Sequence, residues 1–146
     1  MASRRDVDRL RGEIDELFAE LWQLPRFAAH RGVFRPQVDC YRTEEPPELI
    51  VVVELPGVEP DELQIVATPT ALLVAVERRR PQGDGRVYQR MEIDYGPFRR
   101  EVALAEEVDP EGGQATYERG LLTVVLPLAE RTAPHEKVPI EVRIRR

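Results

Sequence analysis

The sequence predicts an antiparallel β-sandwich, preceded by a helical arm and followed by an extended tail. Three observations carry this. Short β-branched runs recur between residues 37 and 126, glycine and proline turn signals separate them, and no helical pattern alternates with them. The last point excludes a parallel α/β fold. The 146 residues suffice for one domain with flanking segments and are too few for two full-sized cores. The expected division is an N-terminal arm at 1–35, a sandwich at 36–127 and a flexible C-terminal extension at 128–146.

In the arm, Leu10, Ile14, Leu17, Phe18, Leu21 and Trp22 recur at spacings of three and four, the period of one helix face. Charged residues from Arg9 to Glu20 take the other positions, with Ser3 and Asp6 as a start signal and Pro25 as a stop. Such a stripe either packs on its own domain or meets a partner or client. From Pro25 to Pro36 the period breaks, with Phe27 and Phe34 isolated, as in a linker.

Strands are then expected at 37–42 and 48–55, the second built on Leu49-Ile50-Val51-Val52-Val53, with Glu44-Glu45-Pro46-Pro47 turning between them. Leu55-Pro56-Gly57 ends the second, because proline cannot donate to a ladder and glycine tolerates positive φ. Further strands are expected at 62–67, 72–76, 98–104, 114–118 and 121–126, giving roughly seven or eight in all. Arg119-Gly120 reads as a tight hairpin. Residues 78–97 form a long loop with three consecutive arginines and one β-prone patch at Val87-Tyr88; a loop this long is usually functional or engaged with a partner.

After Pro127 a polar tether from Glu130 to Lys137 leads into Val138-Pro139-Ile140-Glu141-Val142-Arg143-Ile144. Its alternation puts every apolar side chain on one face of an extended strand, and Pro139 confines that strand to a sheet edge. The segment is either the last strand of its own sandwich or, since ~10 extended residues reach ~33 Å, a strand that pairs with another subunit's edge. The second arrangement is head-to-tail and builds a ring or shell.

Composition narrows the function. A net charge of −6 with no basic block leaves no footprint for nucleic acid. No apolar stretch nears the ~20 residues of a membrane span and no leader pattern opens the chain, so the expected location is the cytoplasm, with no transmembrane segment. Cys40 is the only cysteine, read as a small, partly buried residue ahead of an intersubunit redox link. His30 and His135 fall in irregular segments, and neither a phosphate-cradling glycine loop nor spaced metal ligands appear. No catalytic residue, metal, cofactor or small-molecule substrate is expected.

Taken together, the motifs carry a resemblance. Ala115-Thr116-Tyr117-Glu118-Arg119-Gly120-Leu121-Leu122 resembles the A-x-x-x-N-G-V-L signature of the alpha-crystallin domain, and Val138 to Val142 resembles the I-x-I/V tail motif of small heat-shock proteins. Leu55-Pro56-Gly57-Val58, Phe98 with Arg100, and Leu104 with Val108-Asp109 match the same family pattern in order, over about residues 36–144. Departures are Arg119 for the usual Asn, Leu121 for Val, and Ala105 where Pro is common.

The resemblance implies an immunoglobulin-like sandwich acting as an ATP-independent holdase. Such a chaperone binds unfolding client proteins under stress and works as a homo-oligomer built from dimers, here of the bacterial and plant type. It implies a groove between Leu63, Ile65 and Ala67 on one strand and Ala115 and Tyr117 on another, with Val138, Ile140 and Val142 as candidate knobs. Which pair fills the pockets stays open. It implies that the loop carrying Val87 and Tyr88 donates a strand to a dimer partner, with Arg100 near that contact. Leu10, Ile14, Leu17, Phe18, Leu21, Trp22 and Phe27 are the expected client surface. The alternative is a non-oligomerising sandwich used as a binding module, such as a CS-domain co-chaperone, which the alternating tail and the long loop argue against.

Overall fold

The structure, a computed structural model, describes residues 36–130 and 137–145. The N-terminal stripe, His30, most of the tether and His135 lie outside the described residues.

Among the described residues, nine strands form two sheets. They are β1 (Val38–Glu44), β2 (Pro47–Glu54), β3 (Gln64–Thr68), β4 (Ala71–Arg78), β5 (Gly96–Ala103), β6 (Gln114–Glu118), β7 (Leu121–Pro127), β8 (Val138–Pro139) and β9 (Val142–Ile144). One sheet runs β1-β2-β7-β6-β9 and the other β5-β4-β3-β8. Every pairing is antiparallel except β6 with β9, which is parallel. The expected all-β sandwich is therefore present.

Alternation along the strands builds the core. The β2–β7 register sets Val51 opposite Val124 and Val53 opposite Leu122, and all four are 0% exposed. From the facing sheet, Leu72, Val74 and Val76 of β4, Ile65 and Ala67 of β3, and Phe98 and Val102 of β5 join the same cluster. Period-2 side chains from two inner faces thus interdigitate, as aligned sheet packing requires.

Three local expectations need correction. Glu62 does not open β3, because Pro60–Glu62 forms a 3-10 turn with proline at its start and Leu63 closing it. Proline's fixed φ and missing N–H suit the first turn of a helix better than a ladder. The sandwich does not stop at Pro127: Leu128 bridges Val108, and the Ala129 N–H donates to Glu107 O at 2.9 Å. Cys40 is exposed rather than partly buried. It faces inward, opposite the buried Val51, but β1 is the outermost strand of its sheet. Its immediate surroundings still desolvate the thiol enough to push it above its ordinary value.

The β6–β7 turn accounts for one departure from the family signature. A two-residue hairpin of this kind needs positive φ at both central positions, and here Arg119 has φ 54° and Gly120 φ 78°. Glycine carries this without cost, whereas arginine does not.

Candidate functional site

The edges of β3 and β6 lie on one side of the sandwich, and the tail covers both. β8 extends the β3 edge, with Val66 opposite Pro139 and Ala67 opposite Val138. β9 extends the β6 edge, with Ala115 opposite Val142 and Tyr117 opposite Ile144. Between them Ile140 enters the core cluster at 8% exposure, and its N–H donates to Ile65 O at 2.9 Å. Pro139 sits on an outermost strand, where its missing donor is tolerated.

Each expected groove residue can now be located. Ile65, Ala67 and Ala115 are buried at 2%, 0% and 1% exposure, and Leu63 lies just before β3. Tyr117 is half-buried beside them, its hydroxyl donating to Leu55 O at 2.7 Å. Burial pushes that phenol above its ordinary value; a backbone hydrogen bond from Val58 acts the other way, and the Glu59 charge adds to the rise. Of the three knobs, Ile140 is in the core, Val142 is partly buried against it, and Val138 is half-buried at the rim. All three lie along the β3 and β6 edges of their own chain.

The long loop is the second feature. Residues 79–95 contain no strand, and Val87, Tyr88, Met91 and Ile93 are exposed, Val87 at 87%. Arg78 ties down the base of this loop. Its Nε and Nη2 donate to Asp94 O at 2.9 and 2.6 Å, and its Nη1 donates to Pro56 O at 3.0 Å. The same guanidinium stacks over Phe98 at 4.7 Å and Tyr95 at 5.8 Å. Arg80 stacks over Tyr95 and Tyr88 at 4.4 and 5.3 Å. Hydrogen bonds from Arg86 and then Arg80 hold the Tyr88 phenol below its usual value.

Arg100 shares the inward face of β5 with Phe98 and Val102, and its Nε is buried with no hydrogen-bond partner among the described residues. β5 and β1 are the outer strands on the side away from the tail. Arg42 Nη1 of β1 donates to both carboxylate oxygens of Glu106, at 2.8 and 3.0 Å, an exposed bridge of modest value.

Sequence reasoning missed Arg78, indistinguishable there from Arg79 and Arg80, and Gly113, which no sequence motif singles out. Among the described residues, no group of His, Cys, Asp and Glu side chains is arranged to hold a metal ion, and no helix is long and apolar enough to cross a membrane.

Residues 41–145 match the profile of the Hsp20/alpha crystallin family. A 19.0 kDa class II heat shock protein of Oryza sativa subsp. japonica is 35% identical over 103 residues, 66% of this chain and 59% of that protein. The chain therefore spans less than two thirds of that relative. An alpha-crystallin of Mycobacterium tuberculosis is 33% identical over 131 residues, 88% of this chain and 86% of that one. In fold, the chain is similar to heat shock protein 16.0 of Schizosaccharomyces pombe, with a TM-score of 0.61 at 24% identity, covering 72% of this chain and 96% of that structure.

Proposed function

The chain belongs to the Hsp20/alpha crystallin family, and on that footing we propose that it is a cytoplasmic, ATP-independent holdase chaperone. It binds partly unfolded proteins under stress and acts through no catalytic step. The observation that carries this reading is the tail: two short strands, β8 and β9, lie along two sheet edges, with one core side chain, Ile140, anchoring the chain between them.

Such a contact is reversible by construction. A buried aliphatic side chain contributes roughly 1.5 to 3 kcal/mol, and the few backbone bonds of β8 and β9 add about 1 kcal/mol each. That is enough to mask the groove at rest and little enough to yield on warming. The contacts seen within one chain are equally available to the tail of a second copy, because strand addition depends on backbone bonds and pockets. We read Val138, Ile140 and Val142 as the exchanged plug and the edges at Leu63, Ile65, Ala67, Ala115 and Tyr117 as its socket.

The dimer reading draws on the opposite side of the sandwich. The exposed run through Val87, Tyr88, Met91 and Ile93 supplies an apolar segment, β1 offers an outer edge, and the buried Arg100 Nε has no acceptor among the described residues, one that a second subunit could bring. Clients are assigned to the stripe Leu10, Ile14, Leu17, Phe18, Leu21 and Trp22, on the apolar periodicity of that sequence, and to Phe27 just beyond it.

The test is assembly size by light scattering for the wild type and for Ile140→Ser combined with Val142→Ser. The reading requires a large wild-type assembly and a much smaller species in the variant. An unchanged oligomer removes the tail from assembly, and a wild-type monomer favours the binding-module alternative.

A further inference from the structure

We propose that Gly113 sets the depth of the pocket that receives the tail and makes it selective for isoleucine at position 140. This rests on reading the tail as a plug that docks and releases. Gly113 follows the 3-10 turn Pro110–Gly112 and has φ −66° and ψ 140°, an extended conformation open to any residue. Glycine is therefore not required by the backbone here, and it carries an entropic cost in the unfolded chain. The reason for it is spatial.

A Cβ placed at Gly113 would lie 2.8 Å from Ile140 Cδ1, 3.1 Å from Leu126 Cδ2 and 3.1 Å from Pro110 O. The nearest of these atoms is the terminal methyl of the tail's own anchor. Leu126 is a core residue at 0% exposure, so the floor beneath Ile140 has no slack to give. The space an alanine methyl would fill at position 113 is the space the isoleucine Cδ1 occupies. A valine at position 140 keeps the β-branch and lacks that one carbon. The pocket thus measures side-chain length, favouring tails, from this chain or another copy, with isoleucine at the centre.

The experiment is a size-exchange cycle on the full chain: wild type, Gly113→Ala, Ile140→Val and the double variant. Hydrogen exchange of the residue-140 and Arg145 amides reads tail docking, normalised to the amide of Val124 in β7, so that changes in overall stability cancel. Gly113→Ala should lower tail protection by about tenfold or more, the usual effect of overpacking by one methyl. Ile140→Val alone should lower it several-fold. Adding Ile140→Val to Gly113→Ala should raise protection again, since the clashing carbon has gone. If the two losses multiply instead, Gly113 does not gauge the anchor and the proposal is overturned. Unprotected tail amides in the wild type would instead refute tail docking itself, which separates the two failures.

Discussion

Replacing Ile140 with alanine should free the tail while the sandwich stays folded. The substitution removes three carbons from a side chain that is 8% exposed. At about 0.8 kcal/mol per buried carbon, the loss is roughly 2 kcal/mol. A rigid core would add a cavity term, but a terminal strand can withdraw instead of leaving a void, so the transfer term sets the scale. At ~1.4 kcal/mol per factor of ten, docking weakens about 30-fold. The amides to follow are those whose acceptors belong to the groove: residue 140, which donates to Ile65 O at 2.9 Å, and Arg145, which donates to Tyr117 O at 3.2 Å. Their exchange should quicken about 30-fold under native conditions, while Val51 and Val124 in the sheet interior keep their protection. Equal quickening at all four sites would mean that the tail is an integral strand whose loss opens the whole domain. No quickening anywhere would mean that Ile140 does not anchor it.

Three further outcomes follow from other contacts. Arg119→Asn should stabilise the domain by about 1 kcal/mol, because asparagine tolerates the left-handed conformation that arginine resists; in a domain of this size that raises Tm by about 4–8 °C in calorimetry. Arg78→Ala removes three hydrogen bonds and two ring contacts at the loop base, and limited trypsin cleavage at Arg86 and Arg90 should accelerate about tenfold, with unchanged cleavage counting against a latch. Tyr117→Phe should cost about 1 kcal/mol at neutral pH through the lost bond to Leu55 O. Because the folded state holds the Tyr117 phenol above its ordinary value, wild-type stability is complete below about pH 10 and falls as pH rises beyond it, so urea denaturation should show the gap to the variant closing there.

How far the sequence could be read depended on the distance over which each feature is determined. β2, β4 and β7 were legible because β-branched alternation is a local property, and Pro139 announced an edge strand because its missing donor is local too. Cys40 was misjudged for a related reason. Alternation gives the face of a residue but not its place in the sheet, and an inward residue on an outermost strand has a neighbouring strand on one side only. The start of β3 was set two residues too early, at Glu62, although Pro60 at the head of a 3-10 turn was there to see. The apolar alternation of the tail was legible from period alone, and its reading as a set of knobs came from the family resemblance. Which of them enters the core depends on how β8 and β9 split between two sheets, and that is a fact of packing. Gly113 was opaque because its reason is a contact with Ile140, twenty-seven positions away in sequence. Arg78 differs from its neighbours only through Asp94 and Pro56, which the fold brings to it.

Suppression of aggregation tests the central claim most directly. A heat-labile protein is warmed without nucleotide, with and without the full chain at equimolar subunits, and turbidity is followed. A holdase keeps the solution clear and needs no ATP to do so. Turbidity that rises as fast with the chain as without it would contradict the account.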